Sequence, residues 1–320
     1  MFETKIGIDL GTSNILGVLK NKGIIINEPT VIAIDNATNK ILAVGSEASQ
    51  MIGREPAGIS VIQPLSQGVI SNYSMTKAII KYYITLAKGK FGNKINITIG
   101  IPSSVTEVER RAFKDAALEA GAKKVHLLEE SIAGAIGSEI DVNEPYGRLV
   151  VDIGGGTTDV AVISLGGIVE SFSLKLAGND FDAAIINYIR RYYNVVIGDS
   201  SAELIKKKVG SVWSRDPEVS IDVTGRDLVT GLPKTIPITS RQTIDIFKDI
   251  SNRIVDTIYS VLEITPPELA ADIYEGGILL TGGGSLIYGL SELIEDKLGI
   301  HTFTTDNPMA SVALGLKTKL

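Results

Sequence analysis

The sequence predicts an α/β protein built of two similar domains that face one another across a cleft. Three observations carry this expectation. Short apolar strands alternate with amphipathic helices from end to end, the pattern of βαβ units. One strand–turn–strand design occurs twice, about half the chain apart: Ile6-Gly7-Ile8-Asp9-Leu10-Gly11-Thr12-Ser13-Asn14 and Val150-Val151-Asp152-Ile153-Gly154-Gly155-Gly156-Thr157-Thr158-Asp159. The length, 320 residues, suits about two domains.

Residues 6–9 form a strand that turns at Gly and Thr and returns over 15–19. Residues 31–58 read as a small insertion. Residues 95–101 alternate with a period of two, which predicts a half-buried strand ended by Pro102. Thr106 and Glu109 have capping-box spacing. The helix they open turns Val108, Ala112, Phe113, Ala116 and Ala117 to one face before Gly121. A strand follows at 125–128. In the second half, strands at 149–153 and 160–163 flank a triple-Gly turn, and helices are predicted over 180–193, 202–209, 243–262 and 266–274. The polar, turn-rich stretch 211–241 belongs to a second insertion. A buried strand at 277–280 precedes Gly282-Gly283-Gly284, a helix runs over 286–298, and Asn307-Pro308 opens the last helix with Pro suited to its first position.

Composition excludes several chemistries. There is no Cys and there are 2 His, so no disulfide scaffold, zinc knuckle, Fe–S cluster or thiolate nucleophile is available. His126 and His301 have no partner pattern and read as structural. The remaining tools are carboxylates, hydroxyls and backbone amides, and 33 Gly residues offer amides generously. A net charge of −6 with 21% charged and 44% hydrophobic residues is an ordinary globular profile, so no nucleic-acid partner is expected. No apolar run reaches the roughly 18 residues of a spanning helix. No basic leader precedes the first strand, and a cytoplasmic protein is expected.

The repeated hairpin has chemical content. Each copy delivers an Asp to the edge of a Gly/Thr turn. Gly lets N–H groups approach phosphate oxygens, Thr and Ser add hydroxyls, and Asp holds Mg²⁺ through its waters. Two facing copies suit a clamp on a nucleotide's phosphates; the plainer reading is two tight hairpins with Asx-type turns. No Walker A is present, since Gly231-Leu232-Pro233-Lys234-Thr235 lacks its spacing, and no dinucleotide fingerprint follows an early strand. Thr281-Gly282-Gly283-Gly284-Ser285 follows a strand and opens a helix, and three glycines favour close approach by adenine with its ribose. Glu129-Glu130 stands at a strand–helix junction. A carboxylate there either orients a water or stabilises the helix start, and residue types alone favour the second. Glu203 and Lys206, three apart on a helix, read as a solvated ion pair. The basic loop around Phe91 and the tail Leu316-Lys317-Thr318-Lys319-Leu320 read as solvated segments or shallow contacts with an anionic membrane.

These residues resemble the actin/Hsp70/hexokinase superfamily and, within it, the MreB family of bacterial actins. The phosphate hairpins are shared across the superfamily. Asn27-Glu28-Pro29-Thr30, Val108-Glu109-Arg110-Arg111 and Thr265-Pro266-Pro267-Glu268-Leu269 are much more specific to MreB. The resemblance implies an actin-like fold, with two RNase H-like α/β domains around a central nucleotide cleft, each carrying a smaller inserted subdomain. Domain I would comprise residues 1–144 and 308–320 with an insertion at about 31–64, and domain II residues 145–307 with an insertion at about 179–242. It further implies ATP or ADP with Mg²⁺, slow ATP hydrolysis, and self-assembly into filaments for cell shape or motility. The filaments would sit at the inner face of the membrane, on lipid met through the Phe91 loop or the basic C-terminus.

The resemblance also assigns residues. Gly11, Thr12, Ser13 and Asn14 become the first phosphate loop, and Gly154, Gly155, Gly156 and Thr157 the second. Gly178, Glu203 and Lys206 take the nucleotide's edge, and Gly282, Gly283, Gly284 and Ser285 the adenosine. Asp9 and Asp152 orient the hydrated Mg²⁺. Glu130 activates water with help from Thr157. Ser131 stands where the family usually has Pro, Asp159 where it has Glu, and Ile15 where it has Thr. The Thr265–Leu269 turn is expected at a subunit interface. A small-molecule kinase of the same superfamily is the alternative, although 320 residues leave little room for a second substrate pocket.

Overall fold

Two five-stranded sheets of one design carry the fold. The computed structural model describes residues 3–88 and 94–320. The chain begins with β1 (Glu3–Leu10), β2 (Asn14–Leu19) and β3 (Gly23–Pro29). It leaves for a small sheet of β4 (Ile32–Asp35), β5 (Ile41–Val44) and β6 (Ile59–Ile62), with the short helix α1 (Ser46–Ser49) between the last two. A two-stranded hairpin of β7 (Leu65–Ser66) and β8 (Val69–Ile70) follows. The chain returns through α2 (Tyr73–Lys88), β9 (Lys94–Ile101), α3 (Glu107–Glu119), β10 (Lys124–Glu129) and α4 (Glu130–Gly137).

The second half repeats the plan with β11 (Arg148–Ile153), β12 (Thr158–Ser164), β13 (Gly167–Leu174) and α5 (Gly178–Tyr193). Its own small sheet comprises β14 (Val195–Val196), β15 (Ser220–Asp227) and β16 (Pro233–Thr239), with α6 (Asp199–Val209) after the first of these. Then come α7 (Ser240–Ile264), α8 (Pro267–Gly276), β17 (Ile278–Thr281), α9 (Leu290–Leu298), β18 (Thr302–Thr304) and α10 (Ser311–Thr318).

The strand orders are β10-β9-β1-β2-β3 and β18-β17-β11-β12-β13. In each sheet the central strand pairs antiparallel with its successor and parallel with a later strand. Asp9 and Asp152 are each the next-to-last residue of that central strand. The shared topology therefore delivers both carboxylates to the C-terminal edge of a sheet, where α/β proteins bind ligands.

Each sheet has its own core. Ile6, Ile8, Ile97 and Ile99 pack with Tyr83 and Phe113 in the first. Val151, Ile153, Phe181 and Phe247 pack in the second, where the two phenyl rings meet edge to face at 4.7 Å. Helix α4 belongs to both halves: Ile132 and Ala135 pack on Val150, Ala161 and Leu279, and Ala133 packs on Val312 and Leu316 of α10. The α4–α10 crossing is a backbone contact. A β-carbon on Gly137 would stand 1.8 Å from the Ser311 carbonyl oxygen, and one on Gly315 would stand 1.7 Å from that of Ala133.

Several expectations change. Strand β9 is buried on both faces because β10 and β1 flank it and helices cover it; even Thr98 is buried. Val108 is 80% exposed, since it lies in the first turn of α3, ahead of the buried Phe113 and Ala116. The helix expected over 286–298 is interrupted: Gly283–Leu286 is a 3-10 turn, Gly289 takes φ +81°, and α9 begins at Leu290. Trp213 fills the space beside Gly289, where a β-carbon would lie 2.0 Å from its Cβ. Leu316 and Leu320 of the tail point inward, and the Lys20 ammonium bonds the Leu320 carbonyl, so only the tail's polar residues face solvent. Phe91 lies outside the described residues. Among the described residues no helix is long and apolar enough to cross a membrane.

Candidate functional site

A cavity of about 770 Å³ opens between the two halves. Two β-hairpins form its floor. The first is held by Thr30, whose hydroxyl donates to the Gly11 carbonyl at 2.8 Å and whose amide donates to that of Ser13 at 2.9 Å. The second is closed by the Gly154 amide on the Thr157 carbonyl at 2.9 Å, and the Gly178 amide donates to the Gly154 carbonyl at 3.1 Å. The hairpins interdigitate. A β-carbon on Gly156 would meet Thr12 Oγ1 at 2.8 Å, so glycine is required by the approach of the opposite turn. The Ser13 hydroxyl donates to Asn179 Oδ1 at 3.2 Å, and the Gly68 amide to Thr12 Oγ1 at 3.1 Å.

The structure brings Asp9, Gly11, Thr12, Ser13, Asn14, Glu130, Asp152, Gly154, Gly155, Gly156, Thr157, Gly178, Glu203, Lys206, Gly282, Gly283 and Gly284 to the wall of this one cavity. Ser285 is the exception. It is buried, and its hydroxyl donates to the Gly282 carbonyl at 2.7 Å, closing the turn that presents the three glycines. Gly282 has φ +78°, and a β-carbon there would lie 2.4 Å from Asp152 Oδ1 and from the Ile153 carbonyl oxygen. This turn therefore abuts the strand that carries the second Asp.

Four carboxylates gather below the hairpins. Burial and then the neighbouring Asp152 push Asp9 up to about 8. Burial and then Asp159 push Asp152 up to about 7, while the Thr281 hydroxyl, 3.1 Å from its Oδ1, works the other way. Burial, reinforced by Asp9, Asp152 and Asp159, holds Glu130 well above the usual carboxylate range. Asp159 is also raised by burial, against hydrogen bonds from Ser173, Thr157 and Ser103. Crowded acids of this kind are relieved by a cation. Among the described residues, however, no group of three or more acidic or His side chains converges closely enough to ligate one directly. That donor set fits Mg²⁺ held through its waters and a ligand's phosphates rather than a protein cage.

The ion pair expected between Glu203 and Lys206 does not form. Lys206 Nζ lies 2.7 Å from Asp182 Oδ2 and 2.9 Å from the Gly178 carbonyl oxygen, both of which fix it at the start of α5. Glu203 pairs instead with Lys207 at 2.7 Å, one helical turn along. The cause is the packing of α6 on α5, which supplies an acidic partner that spacing within α6 cannot reveal.

Sequence reasoning missed Asp182 and Asn179, which line the cavity, and Thr30, which holds a hairpin. Asp182 had a signal, since it stands four residues after Gly178 on the same helix face. Leu286 and Met309 also line the cavity and keep 58% and 38% of their surface exposed, so they offer the opening an apolar rim.

The family model for MreB/Mbl protein matches residues 3–320. The cell shape-determining protein Mbl of Bacillus cereus is 46% identical over 316 residues, covering 98% of this chain and 95% of that protein. The crystal structure of MreB5 of Spiroplasma citri bound to ADP superposes with a TM-score of 0.95 at 39% identity, covering 99% of this chain and 95% of that one. Its AMPPNP-bound form gives 0.94 at 38% identity, with 99% and 96% covered. The MamK double helical filament, 20% identical with a TM-score of 0.85 over 99% of this chain and 98% of its own, shares the actin-like fold.

Proposed function

The chain belongs to the MreB/Mbl family, and from that premise we propose that it is an ATP-binding, slowly ATP-hydrolysing cytoskeletal protein. It assembles head to tail into filaments that serve cell shape or motility at the inner face of the membrane. The observation that carries the reading is the pair of interdigitated hairpins with an Asp behind each, set over one cavity beside a triple-Gly turn. The names of the relatives support it, since Mbl determines cell shape and MreB5 was crystallised with ADP and with AMPPNP.

The amides and hydroxyls of residues 11–14 and 154–157 take the phosphates from both sides. Gly178, Glu203 and Lys206 bound the ribose edge, and the Gly282–Gly284 turn bounds the base. Asp9 and Asp152 would hold Mg²⁺ through water. When bound, that ion offsets the charge of the phosphates and of the crowded carboxylates. Glu130, kept above its usual range, accepts a proton from a water directed at the terminal phosphate, and Thr157 helps to place that water. The two domains proposed, residues 1–144 with 308–320 and residues 145–307, close on the nucleotide about α4, whose Ile132 and Ala135 pack on the second sheet while Ala133 packs on α10 of the first domain. A heterologous interface whose rotation does not close then gives filaments.

The test is sedimentation and phosphate release with and without Mg–ATP, on and off anionic vesicles. Nucleotide-dependent pelleting with phosphate release to water is expected. A concentration-independent monomer overturns the assembly claim, and transfer of phosphate to an added sugar in place of water would favour a kinase.

A further inference from the structure

We infer that Arg110 is a positioning residue for the Glu130 carboxylate, acting through Glu129. The inference rests on the proposed role of Glu130 in hydrolysis and deepens it. Glu129 and Glu130 are adjacent but turn opposite ways. Glu130 is the first residue of α4 and lines the cavity. Glu129 ends β10, paired with Ile101, and occupies the cap position of α4 with φ −63° and ψ 133°. A short acidic side chain at that position, that of Asp, turns back onto the free N–H groups of the helix, and Glu is one methylene longer. Glu129 makes no such bond. Its carboxylate is taken by the Arg110 guanidinium, reaching over from α3, and both side chains are about three-quarters buried, 27% and 23% exposed.

The base of Arg110 is itself rigid. It lies one turn into α3, whose start is fixed by the Thr106–Glu109 capping box, and its amide donates to the Thr106 carbonyl at 2.8 Å. Nothing comparable comes from Ser131, whose hydroxyl is buried without a partner. A single extended residue thus separates strand from helix, and the Arg110–Glu129 bond anchors it from outside. Rotation about Glu129 would swing Glu130 off the line to the phosphate, and a shift on the order of 1 Å costs up to about a hundredfold in rate.

The test is single-turnover phosphate release together with ATP affinity, for Arg110→Ala, Glu129→Ala, their double variant, Arg110→Lys and Glu130→Ala. Expected is a roughly ten- to hundredfold slower release in each of the first two with ATP affinity unchanged. The double variant should be no slower than the worse single, because both remove one bond, and Arg110→Lys should recover most of the rate. Unaltered release in Arg110→Ala and Glu129→Ala while Glu130→Ala is slow overturns the positioning role alone. Unaltered release in Glu130→Ala overturns the reading of Glu130 and this inference with it. Affinity that weakens in step with the rate points to a general structural role and also overturns it.

Discussion

Gly155 has no space for a side chain because Ser13, from the opposite half of the molecule, occupies it. A β-carbon at Gly155 would stand 2.0 Å from Ser13 Oγ and 2.7 Å from Ser13 Cβ. Gly155→Ala should therefore pry the hairpins apart and weaken Mg–ATP binding roughly tenfold or more, measured by calorimetry. Adding Ser13→Gly removes both clashing atoms and should restore part of the affinity. Wild-type affinity in Gly155→Ala would show that the hairpins need not meet when nucleotide binds.

Acidification should stabilise the nucleotide-free protein. The folded chain lifts Asp9 to about 8 and Asp152 to about 7, against 3.8 for each when unperturbed. Between the unperturbed and the raised values the folded state binds more protons than the unfolded one, so stability is lost as pH rises through that window. Urea midpoints near about pH 5.5 should exceed those near about pH 8, and Mg–ATP should narrow the gap by offsetting the ionised carboxylates. A midpoint that rises with pH over this range contradicts the crowding of these acids.

Two carboxylates in one cavity should fail in different ways. Glu130→Ala is expected to bind ATP normally and release phosphate on the order of a hundredfold more slowly, the usual loss of a proton acceptor. Asp152→Ala is expected to weaken Mg–ATP binding, because the carboxylate faces the cavity beside Asp9. Matching defects in both variants would remove the division of roles.

Asp182 should matter as much as the lysine it holds. Its side chain is 14% exposed and that of Lys206 is 15% exposed, so this is a largely desolvated pair. Asp182→Ala leaves the ammonium with only the Gly178 carbonyl, and a loss on the order of 1.5–3 kcal/mol in ATP binding is expected. Asp182→Asn keeps an oxygen toward Lys206 and should lose less. Titration with a fluorescent ATP analogue would decide, and equal affinities in all three proteins would detach Asp182 from the nucleotide site.

The α4–α10 crossing tolerates no added atoms. Gly315→Ala would put a methyl 1.7 Å from the Ala133 carbonyl oxygen, and a cost of about 3 kcal/mol or more is expected. Gly198→Ala meets nothing within 4 Å and serves as the control. It stands at a helix start, where the change should cost less than about 1 kcal/mol. Comparable thermal midpoints for the two variants would mean that the helices can separate.

Local chemistry made much of this protein readable from its sequence. In both copies an apolar strand ending in Asp meets a Gly/Thr turn too short for a crossover, so it must pair antiparallel with the strand that follows. The twofold plan, the capping box of α3 and the glycine-rich floor therefore follow from residue type and spacing. Contacts between distant segments were decided only by the tertiary structure. Lys206 meets Asp182 instead of Glu203 because α6 lies on α5. Ser285 closes a turn instead of facing the cavity, and Gly289 breaks a helical pattern because Trp213 stands beside it. Likewise, Glu129 and Glu130 are indistinguishable as a dipeptide. One points to α3 and the other to the cavity because a single extended residue joins a parallel strand to a helix, and only the packing on either side determines which carboxylate is buried.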